Sequence, residues 1–293
     1  TLSTYHEVKR FQPDVVHLIH PALIGIPGLW MGRRLRVPVV ASFHLDLARM
    51  AHHFNIGFVE PAVDYLTKAV FNAADYSLAP SRPVFDYMTN IGIQNVGLWK
   101  RGVDAEKFNP RFRSAEMRRK LSDGHPEDVL LLYVGRLSNE KQLDHLKPVL
   151  EQVPGVRLAL VGDGPAREDL RDMFSGLPVN FVGYLRGEAL SQAYASADMF
   201  VFPSAMETFG LVVVEAMAAG LPVVASRVGG VRDVITEGLN GYSYESGDIP
   251  ALVEGVRRIA ADRSRMAQMG LAARAFAETQ TWDSMMDEVI GRY

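Results

Sequence analysis

The stretch Glu207-Thr-Phe-Gly-Leu-Val-Val-Val-Glu215 decides how the second half of this chain folds. It follows an apolar run, Met199 to Pro203, that is typical of a buried strand. It leads into the apolar run from Leu211 to Ala219, which predicts a buried helix that ends at Gly220 and Pro222. A strand that passes directly into a helix is the repeating unit of a parallel α/β sheet.

This strand-to-helix junction has the chemistry of a phosphate site flanked by carboxylates. Gly210 permits close approach of the backbone, and the N–H groups of the first helical turn, at the positive end of the helix dipole, favour a phosphate. Glu207 precedes the helix and Glu215 lies about 1.5 turns inside it. Both carboxylates can accept hydrogen bonds from sugar hydroxyls. The junction therefore predicts a sugar nucleotide as the ligand.

The composition is that of an ordinary globular protein. The length of 293 residues is enough for two domains, and the hydrophobic fraction of 48% is enough for a buried core. The net charge of −3 argues against a nucleic-acid partner. The lack of cysteine excludes disulfides and thiolate metal sites and is compatible with a reducing cytosol. No apolar run reaches the ~18 residues of a membrane span. We expect a cytoplasmic protein, and a peripheral contact with the inner face of the membrane stays open.

Continuous apolar runs alternate with helical stretches along the whole chain. Those that predict strands lie at 14–19, 38–43, 76–80 and 96–99, and then at 129–134, 156–161, 180–182, 199–202, 222–226 and 241–244. Because the runs are continuous rather than alternating, they predict parallel sheets covered by helices on both faces. The fold class is therefore α/β, with two doubly wound, Rossmann-like domains.

A stretch of turns and charges at 102–113 separates the two units. The predicted domains are 1–108, an incomplete Rossmann-like unit, 109–278, a complete Rossmann-like unit that carries the predicted sugar-nucleotide site, and 279–293, a C-terminal helix. The first unit has only four strand-like runs and the chain begins with Thr1 rather than methionine. We therefore expect the opening strands of the first domain to be missing.

Glycines and basic residues follow the strands of the second unit at their carboxyl ends, the edge where such sheets bind ligands. The segments in question are Gly135-Arg-Leu-Ser-Asn-Glu-Lys141, Gly162-Asp-Gly-Pro165 and Gly183-Tyr-Leu-Arg-Gly187. Arg136 and Lys141 can neutralise a diphosphate, one as a planar fork and the other as a point charge. Each feature alone is typical of a turn or a solvated charge. Their convergence on one edge predicts a phosphorylated ligand.

Other chemistries are weaker readings of the same residues. His44 ends a strand of the first unit, where a structural hydrogen bond and a site role are both open. His52 and His53 would point about 100° apart on a helix, so we expect no metal. A nicotinamide cofactor is disfavoured because the loop 162–165 is not G-x-G-x-x-G and its proline offers no N–H. We expect no cofactor. A sugar-nucleotide-binding module without activity stays open.

Taken together, these motifs resemble glycosyltransferase family 4, whose members are retaining enzymes of the GT-B fold. The motifs are E-x7-E with its Phe-Gly, the spacing of Gly135-Arg136 to Lys141, the turn at 162–165, and Gly102-Val-Asp104. The resemblance runs nearly end to end. It implies two domains that face each other across a cleft, with the donor on the second and the acceptor on the first. It also implies a final helix that crosses back onto the first domain.

The resemblance implies a role for each site residue. Those roles are Arg136 and Lys141 on the diphosphate, Glu215 on the ribose, Glu207 with the Phe209-Gly210 backbone on the transferred sugar, Leu211 and Val212 as N–H donors to phosphate, Leu185 beside the base, Gly135 as a further donor-binding residue, and His44 reaching the donor sugar from across the cleft. The residues it implies to be catalytic are His44, Glu207, Arg136 and Lys141.

Three further stretches, 98–104, 112–118 and 190–196, resemble the sulfolipid synthase branch of the family. That branch transfers sulfoquinovose from UDP to diacylglycerol. The resemblance therefore favours a UDP-sugar donor, with UDP-sulfoquinovose as the specific candidate, and a lipid acceptor such as diacylglycerol. Glycolipid glycosyltransferases that depend on GDP-mannose or UDP-glucose share several of these features and stay open, as does a donor-binding fragment without transfer activity.

Overall fold

The chain forms two compact units. The computed structural model describes residues 2–19, 25–44, 60–99, 102–207 and 209–291. The units are Thr1–Lys100 with Ser284–Tyr293, and Arg101–Asp283. The second unit thus begins before residue 109, because Val103 and Phe108 are buried in its core. The predicted functions of the two domains remain predictions.

The first unit contains a parallel sheet of consecutive strands. Its elements are α1 Leu2–Phe11, β1 Val16–Ile19, α2 Gly25–Leu35, β2 Val39–Ser42, α3 Glu60–Phe71, β3 Tyr76–Ala79, α4 Arg82–Asn90 and β4 Val96–Leu98. The strand order is β1-β2-β3-β4. All four predicted strands are confirmed. Between β2 and β3, Glu60–Phe71 is helix, and residues 45–59 lie outside the described residues.

The second unit contains a larger parallel sheet. Its helices and strands are α5 Ala115–Leu121, β5 Val129–Val134, α6 Lys147–Gln152, β6 Val156–Val161, α7 Arg167–Met173, β7 Val179–Gly183, α8 Gly187–Ser196, β8 Met199–Phe202, α9 Leu211–Ala218, β9 Val223–Ser226, β10 Gly241–Tyr244, α10 Ile249–Ala260 and α11 Arg263–Glu278. A last helix, α12 Trp282–Ile290, follows, and from Ser284 onward the chain is part of the first unit. Short 3-10 turns lie at Pro110–Phe112, Asn139–Lys141, Leu143–Leu146 and Gly229–Asp233. All six predicted strands are confirmed.

The order of the second sheet, β10-β9-β8-β5-β6-β7, creates a topological switch point. The chain enters at β5, moves outward to β7, returns to β8 beside β5, and moves outward again to β10. β5 and β8 pair in parallel through Leu131 with Met199 and Leu132 with Phe200. In such sheets the crevice beyond the carboxyl ends of the two strands at the switch point is the usual ligand site. Here the loops after β5 and β8 border it.

Aromatic side chains support this switch point from below. Tyr133, Phe200 and Phe202 are buried, and Phe202 stacks on both others, with ring centroids 6.2 Å apart in each pair. Burying a side chain of this size contributes about 1.5–3 kcal/mol of hydrophobic free energy. The edge that carries the loops is therefore anchored in the core. No helix in the described ranges is long and apolar enough to cross a membrane.

Candidate functional site

An ion pair joins the two loops at the switch point. Lys141 Nζ, from the loop after β5, lies 3.3 Å from Glu207 Oε2, from the loop after β8. The two side chains are 18% and 20% exposed, and Lys141 Nζ also lies 5.4 Å from the centre of the Phe202 ring. The structure thus brings together two predicted site residues that are 66 positions apart in the sequence.

The loop after β8 is held by hydrogen bonds that sequence reasoning did not foresee. The Ala205 N–H donates to Glu140 O at 2.8 Å, so the loops after β5 and β8 are also joined through their backbones. Ser226 Oγ donates to Ser204 O. The Phe209 N–H donates to Glu207 Oε1 at 3.3 Å. One oxygen of Glu207 therefore accepts from the backbone and the other faces Lys141.

The charges around Lys141 are balanced. Burial raises the pKa of Glu140, but the hydrogen bond from Ser138 Oγ and the positive charges of Lys141 and Arg136 outweigh it, so the pKa is lowered overall. Glu140 is therefore ionised at neutral pH. Glu140 and Glu207 thus lie at this edge together with Arg136 and Lys141. A bound diphosphate would compete with carboxylates for Lys141, rather than meet an isolated cation.

Glycines let the loops after β5 and β6 cross. Gly162 has φ +139°, and a Cβ there would collide with the carbonyl oxygen of Gly135. A Cβ on Gly164 would collide with Leu137 O in the same way. The Leu137 N–H donates to Asp163 O at 3.0 Å. These glycines therefore serve the packing of one loop on the other, in addition to any approach to a ligand.

The loop that carries Arg136 is also fixed from the core. The hydroxyl of Tyr133 donates to Arg136 O at 2.9 Å, while the Arg136 side chain is exposed. The backbone of the first predicted phosphate-binding residue is thus held in place, and its guanidinium group faces solvent. Leu185, the residue predicted to lie beside the base, follows β7 and packs partly buried against the main core.

Helix α9 begins as the sequence predicts. Gly210 has φ +73°, and the intrahelical hydrogen bonds start with the Val213 N–H, which donates to Gly210 O at 3.0 Å. Leu211 and Val212 belong to the first turn, where an N–H has no intrahelical acceptor. The loop after β9 packs against this turn, because a Cβ on Gly230 would lie 2.6 Å from Phe209 O. The signal for that contact, a Gly-Gly pair after a strand, was missed.

Glu215 has a different environment from Glu207. It lies on α9, and the hydroxyl of Tyr194 donates to its Oε2 at 3.0 Å. Burial raises the pKa of Glu215, whereas the Tyr194 hydrogen bond and the charge of Lys107 lower it; the balance is a raised pKa. Tyr194 is fully buried, with its ring edge-on to Phe108 at 5.3 Å. Sequence reasoning missed Tyr194, although a buried tyrosine hydroxyl needs a partner.

His44 lies in the first unit. Its Nε2 is 2.7 Å from Ser42 Oγ, and its ring centre is 5.9 Å from that of Trp99. The contact of His44 with a donor sugar stays a prediction. His52 and His53 lie outside the described residues. Within the described ranges, no three acidic, histidine or cysteine side chains are close enough to hold a metal ion.

Comparison with known proteins gives two family matches that together cover most of the chain. The family described as "Glycosyl transferases group 1" matches residues 116–276, and the one described as "Glycosyltransferase Family 4" matches residues 2–107. The junction between the matches falls close to the boundary of the two compact units.

Individual relatives agree with this. The sulfoquinovosyl transferase SQD2 of Arabidopsis thaliana is 41% identical over 94% of this chain, which spans 55% of that protein. A GDP-mannose-dependent alpha-mannosyltransferase of Mycolicibacterium smegmatis is 40% identical over 98% of the chain, which spans 74% of that protein. The crystal structure of Anabaena HepE in complex with UDP has a TM-score of 0.85 at 22% identity, covering 98% of this chain and 81% of HepE. The structural likeness shows a GT-B fold.

Proposed function

Because this chain belongs to glycosyltransferase family 4, we propose that it transfers a sugar, with retention of configuration, from a nucleoside-diphosphate donor to a lipid acceptor. The observation that carries the proposal is the Lys141–Glu207 ion pair at the switch point of the second sheet. A lysine suits a phosphate and a glutamate suits sugar hydroxyls, and these two side chains lie side by side, next to the first turn of α9.

Donor binding rearranges this ion pair. The diphosphate binds Arg136, Lys141 and the N–H groups of Leu211 and Val212, and it replaces Glu207 as the partner of Lys141. Glu207 then accepts hydrogen bonds from the hydroxyls of the transferred sugar. Glu215 accepts from the ribose through the oxygen that Tyr194 does not hold. The two carboxylates bind opposite ends of one donor.

The transfer proceeds by front-face attack. The bond between the anomeric carbon and the leaving phosphate oxygen breaks while the acceptor oxygen bonds to the same face of that carbon. The acceptor proton passes to the leaving diphosphate. Arg136, Lys141 and the start of α9 stabilise the charge that develops on this group. A carboxylate nucleophile is not proposed, since both glutamates are better placed to bind hydroxyls.

For the specific reaction, we propose UDP-sulfoquinovose as the donor and diacylglycerol as the acceptor. The 41% identity to a sulfoquinovosyl transferase supports it. The alternative is a GDP-mannose-dependent reaction, supported by the 40% identity to a mannosyltransferase that uses this donor. UDP-glucose is a further alternative donor. Since the chain spans 55% of SQD2, a second candidate function is donor binding and hydrolysis without transfer.

A surface of the first unit supports the lipid acceptor. Trp30 is 51% exposed on α2 and Phe11 is 80% exposed at the end of α1. The two helices are neighbours, because the rings of Tyr5 and Trp30 are 5.2 Å apart. Both helices end in basic residues, among them Arg33 and Arg34. Exposed aromatic rings beside arginines are typical of contact with an anionic membrane surface.

Nucleotide binding tests the proposal directly. We expect UDP to raise the melting temperature more than GDP does, and UDP-sulfoquinovose more than UDP-glucose, because a ligand stabilises only the fold that binds it. Labelled donor is then incubated with vesicles that contain diacylglycerol, and lipid-linked sugar is measured. Stabilisation by GDP alone would favour the mannosyl alternative. Free sugar without labelled lipid would favour hydrolysis. No shift with either nucleotide would contradict the proposal.

A further inference from the structure

A second polar cluster lies at the carboxyl edge of the first sheet. His17 Nε2 is 3.0 Å from Ser42 Oγ, and His44 Nε2 is 2.7 Å from the same oxygen. Ser42 is fully buried. Of these three residues, only His44 has a role implied by the family resemblance, and neither His17 nor Ser42 stood out in the sequence. Two imidazoles therefore share one buried hydroxyl.

The register of the strands brings the cluster together. His17 pairs with Val40 in the parallel ladder of β1 and β2. Side chains alternate along a strand, so Ser42 shares the face of Val40, and therefore that of His17. His44 follows two residues later, just past the end of β2. Strand geometry thus determines the contact of His17 with Ser42.

The single hydroxyl proton of Ser42 couples the two histidines. A serine hydroxyl donates one hydrogen bond and accepts others. Two imidazole nitrogens lie within hydrogen-bond distance of Ser42 Oγ, so at most one of them can accept its proton. The other nitrogen must carry a hydrogen and donate it. If Ser42 donates instead to Leu18 O, which is 3.5 Å away, both imidazoles must donate. The tautomer of His44 therefore depends on that of His17.

The surroundings hold both rings in place. Burial lowers the pKa of His17, so this imidazole is neutral at neutral pH and has one N–H. The Trp99 ring lies 5.8 Å from that of His17 and 5.9 Å from that of His44, centre to centre. A ring held by a hydrogen bond at one nitrogen and an indole at its side has little freedom to rotate.

We propose that His17 and Ser42 are positioning residues that fix the ring orientation and the tautomer of His44. The assignment rests on the proposed function and on the role that the family resemblance implies for His44, which is contact with the donor sugar. With Nε2 directed at Ser42, the tautomer decides whether Nδ1 of His44 donates or accepts a hydrogen bond. His17 and the buried Ser42 thereby select the kind of sugar oxygen that the His44 ring can bind.

Imidazole nitrogen shifts test the coupling without any substrate. In ¹⁵N-labelled protein, long-range ¹H–¹⁵N spectra distinguish a protonated ring nitrogen from a bare one. We expect a single tautomer for His44 in the wild type and a mixture in both Ser42→Ala and His17→Phe. The His17 variant is the decisive one, because His17 contacts Ser42 Oγ, the atom that His44 also contacts. His125→Gln, at an exposed position of the second unit, is the matched control and leaves the His44 shifts unchanged.

Kinetics complete the test. Both variants should lower kcat by about 10- to 100-fold, as expected for a misplaced reacting group, and leave UDP affinity unchanged. Unchanged UDP affinity also shows that the second unit is folded. If Ser42→Ala fails to fold, His17→Phe alone decides. Unchanged His44 shifts in the folded variants would overturn the proposal. Altered shifts in a protein that transfers no sugar would leave the coupling standing and contradict the proposed function.

Discussion

The two parallel sheets are built from the same kind of buried strand, yet their carboxyl edges carry different chemistry. The second sheet has a switch point between β5 and β8, where Lys141 and Glu207 form an ion pair. The described strands of the first sheet run in consecutive order, and its edge carries His17, Ser42 and His44. One edge carries carboxylates and basic side chains, and the other carries imidazole and hydroxyl groups.

Because both sheets consist of similar apolar strands, the strand order rather than the strand composition determines what each edge can bind. Loops that leave neighbouring strands at a switch point diverge and leave a crevice, which suits a diphosphate. Imidazole and hydroxyl groups suit hydroxyl ligands, which carry no charge. Nucleotide affinity should therefore depend on the second sheet, whereas turnover should depend on both sheets.

Glu207→Ala should have the largest effect, a loss of about 10²–10³-fold in kcat. The transferred sugar loses its main acceptor, and Lys141 loses its partner in the free enzyme. The measurement is transfer of labelled sugar, with intact-mass spectrometry of the protein during turnover. Glu245→Ala, at an exposed position of the same unit, is the control and should behave as the wild type. A glycosyl adduct on Glu207 or Glu215 would contradict front-face attack.

Lys141→Ala should come next, with UDP affinity reduced about 10- to 100-fold and turnover reduced as well. Arg136→Ala should act in the same direction. Titration calorimetry with UDP measures the effect, and Lys68→Ala, an exposed lysine of the first unit, should bind UDP normally. Because Lys141 and Glu207 are in contact, the double variant should lose less than the sum of the single effects. Normal UDP affinity in both Lys141→Ala and Arg136→Ala would count against a diphosphate at this edge.

Tyr194→Phe should reduce UDP affinity more modestly, by about 3- to 10-fold. The hydroxyl donates to Glu215 and favours its carboxylate form, so its removal raises the already raised pKa of Glu215 further. The loss should therefore be greatest at the acidic end of a titration between about pH 5 and pH 8. The control is Tyr244→Phe, because the buried Tyr244 hydroxyl has no hydrogen-bond partner among the described residues. Equal losses in both variants would sink this role for Tyr194.

The same pKa shift predicts a stability effect with a defined sign. The pKa of Glu215 in the folded protein lies above its ordinary value of 4.5, so the folded state holds this proton more tightly than the unfolded chain does. The Glu215 contribution to the free energy of unfolding therefore decreases as pH rises from about 4.5 through the raised pKa. Urea melts of wild type and Glu215→Gln across that range check the slope, which should be shallower in the variant.

Gly162→Ala should have the smallest effect on nucleotide affinity but a clear one on stability. A Cβ there collides with Gly135 O, and we expect a loss of about 1–3 kcal/mol in the free energy of unfolding. Gly155→Ala is the matched control, because Gly155 also has positive φ but no atom lies within 4 Å of an added Cβ. Equal losses in the two variants would show that backbone conformation, rather than loop crossing, explains Gly162.

Most of the fold was predictable, because its strands are continuous apolar runs that end in glycine or polar residues. The apolar run at 129–134 and the apolar runs of the first unit predict the positions of the strands. The pairing of β5 with β8 agrees with the predicted doubly wound fold, whose usual strand order puts the first and fourth strands side by side. The switch point follows from that order.

The site was predictable in its parts but not in its contacts. The sequence singled out Lys141 and Glu207 as separate ligands of a donor, and it contained no sign that they pair with each other. It also missed Tyr194, because a tyrosine in a helix of small apolar residues is typical of the core, and only the structure shows its hydroxyl reaching Glu215. Long-range partners of this kind depend on tertiary packing, which single-sequence patterns do not encode.

Binding of the donor at the edge of the second sheet is tested most directly by titrating UDP, 2′-deoxy-UDP and 3′-deoxy-UDP into the wild type and into Glu215→Gln. A carboxylate that accepts from the ribose is a specific partner of those hydroxyls. We predict that the wild type binds UDP at least about 10-fold more tightly than one or both deoxy analogues. Glu215→Gln should lose most of this preference. An undiminished preference in the variant would contradict the placement of the donor on the edge of the second sheet.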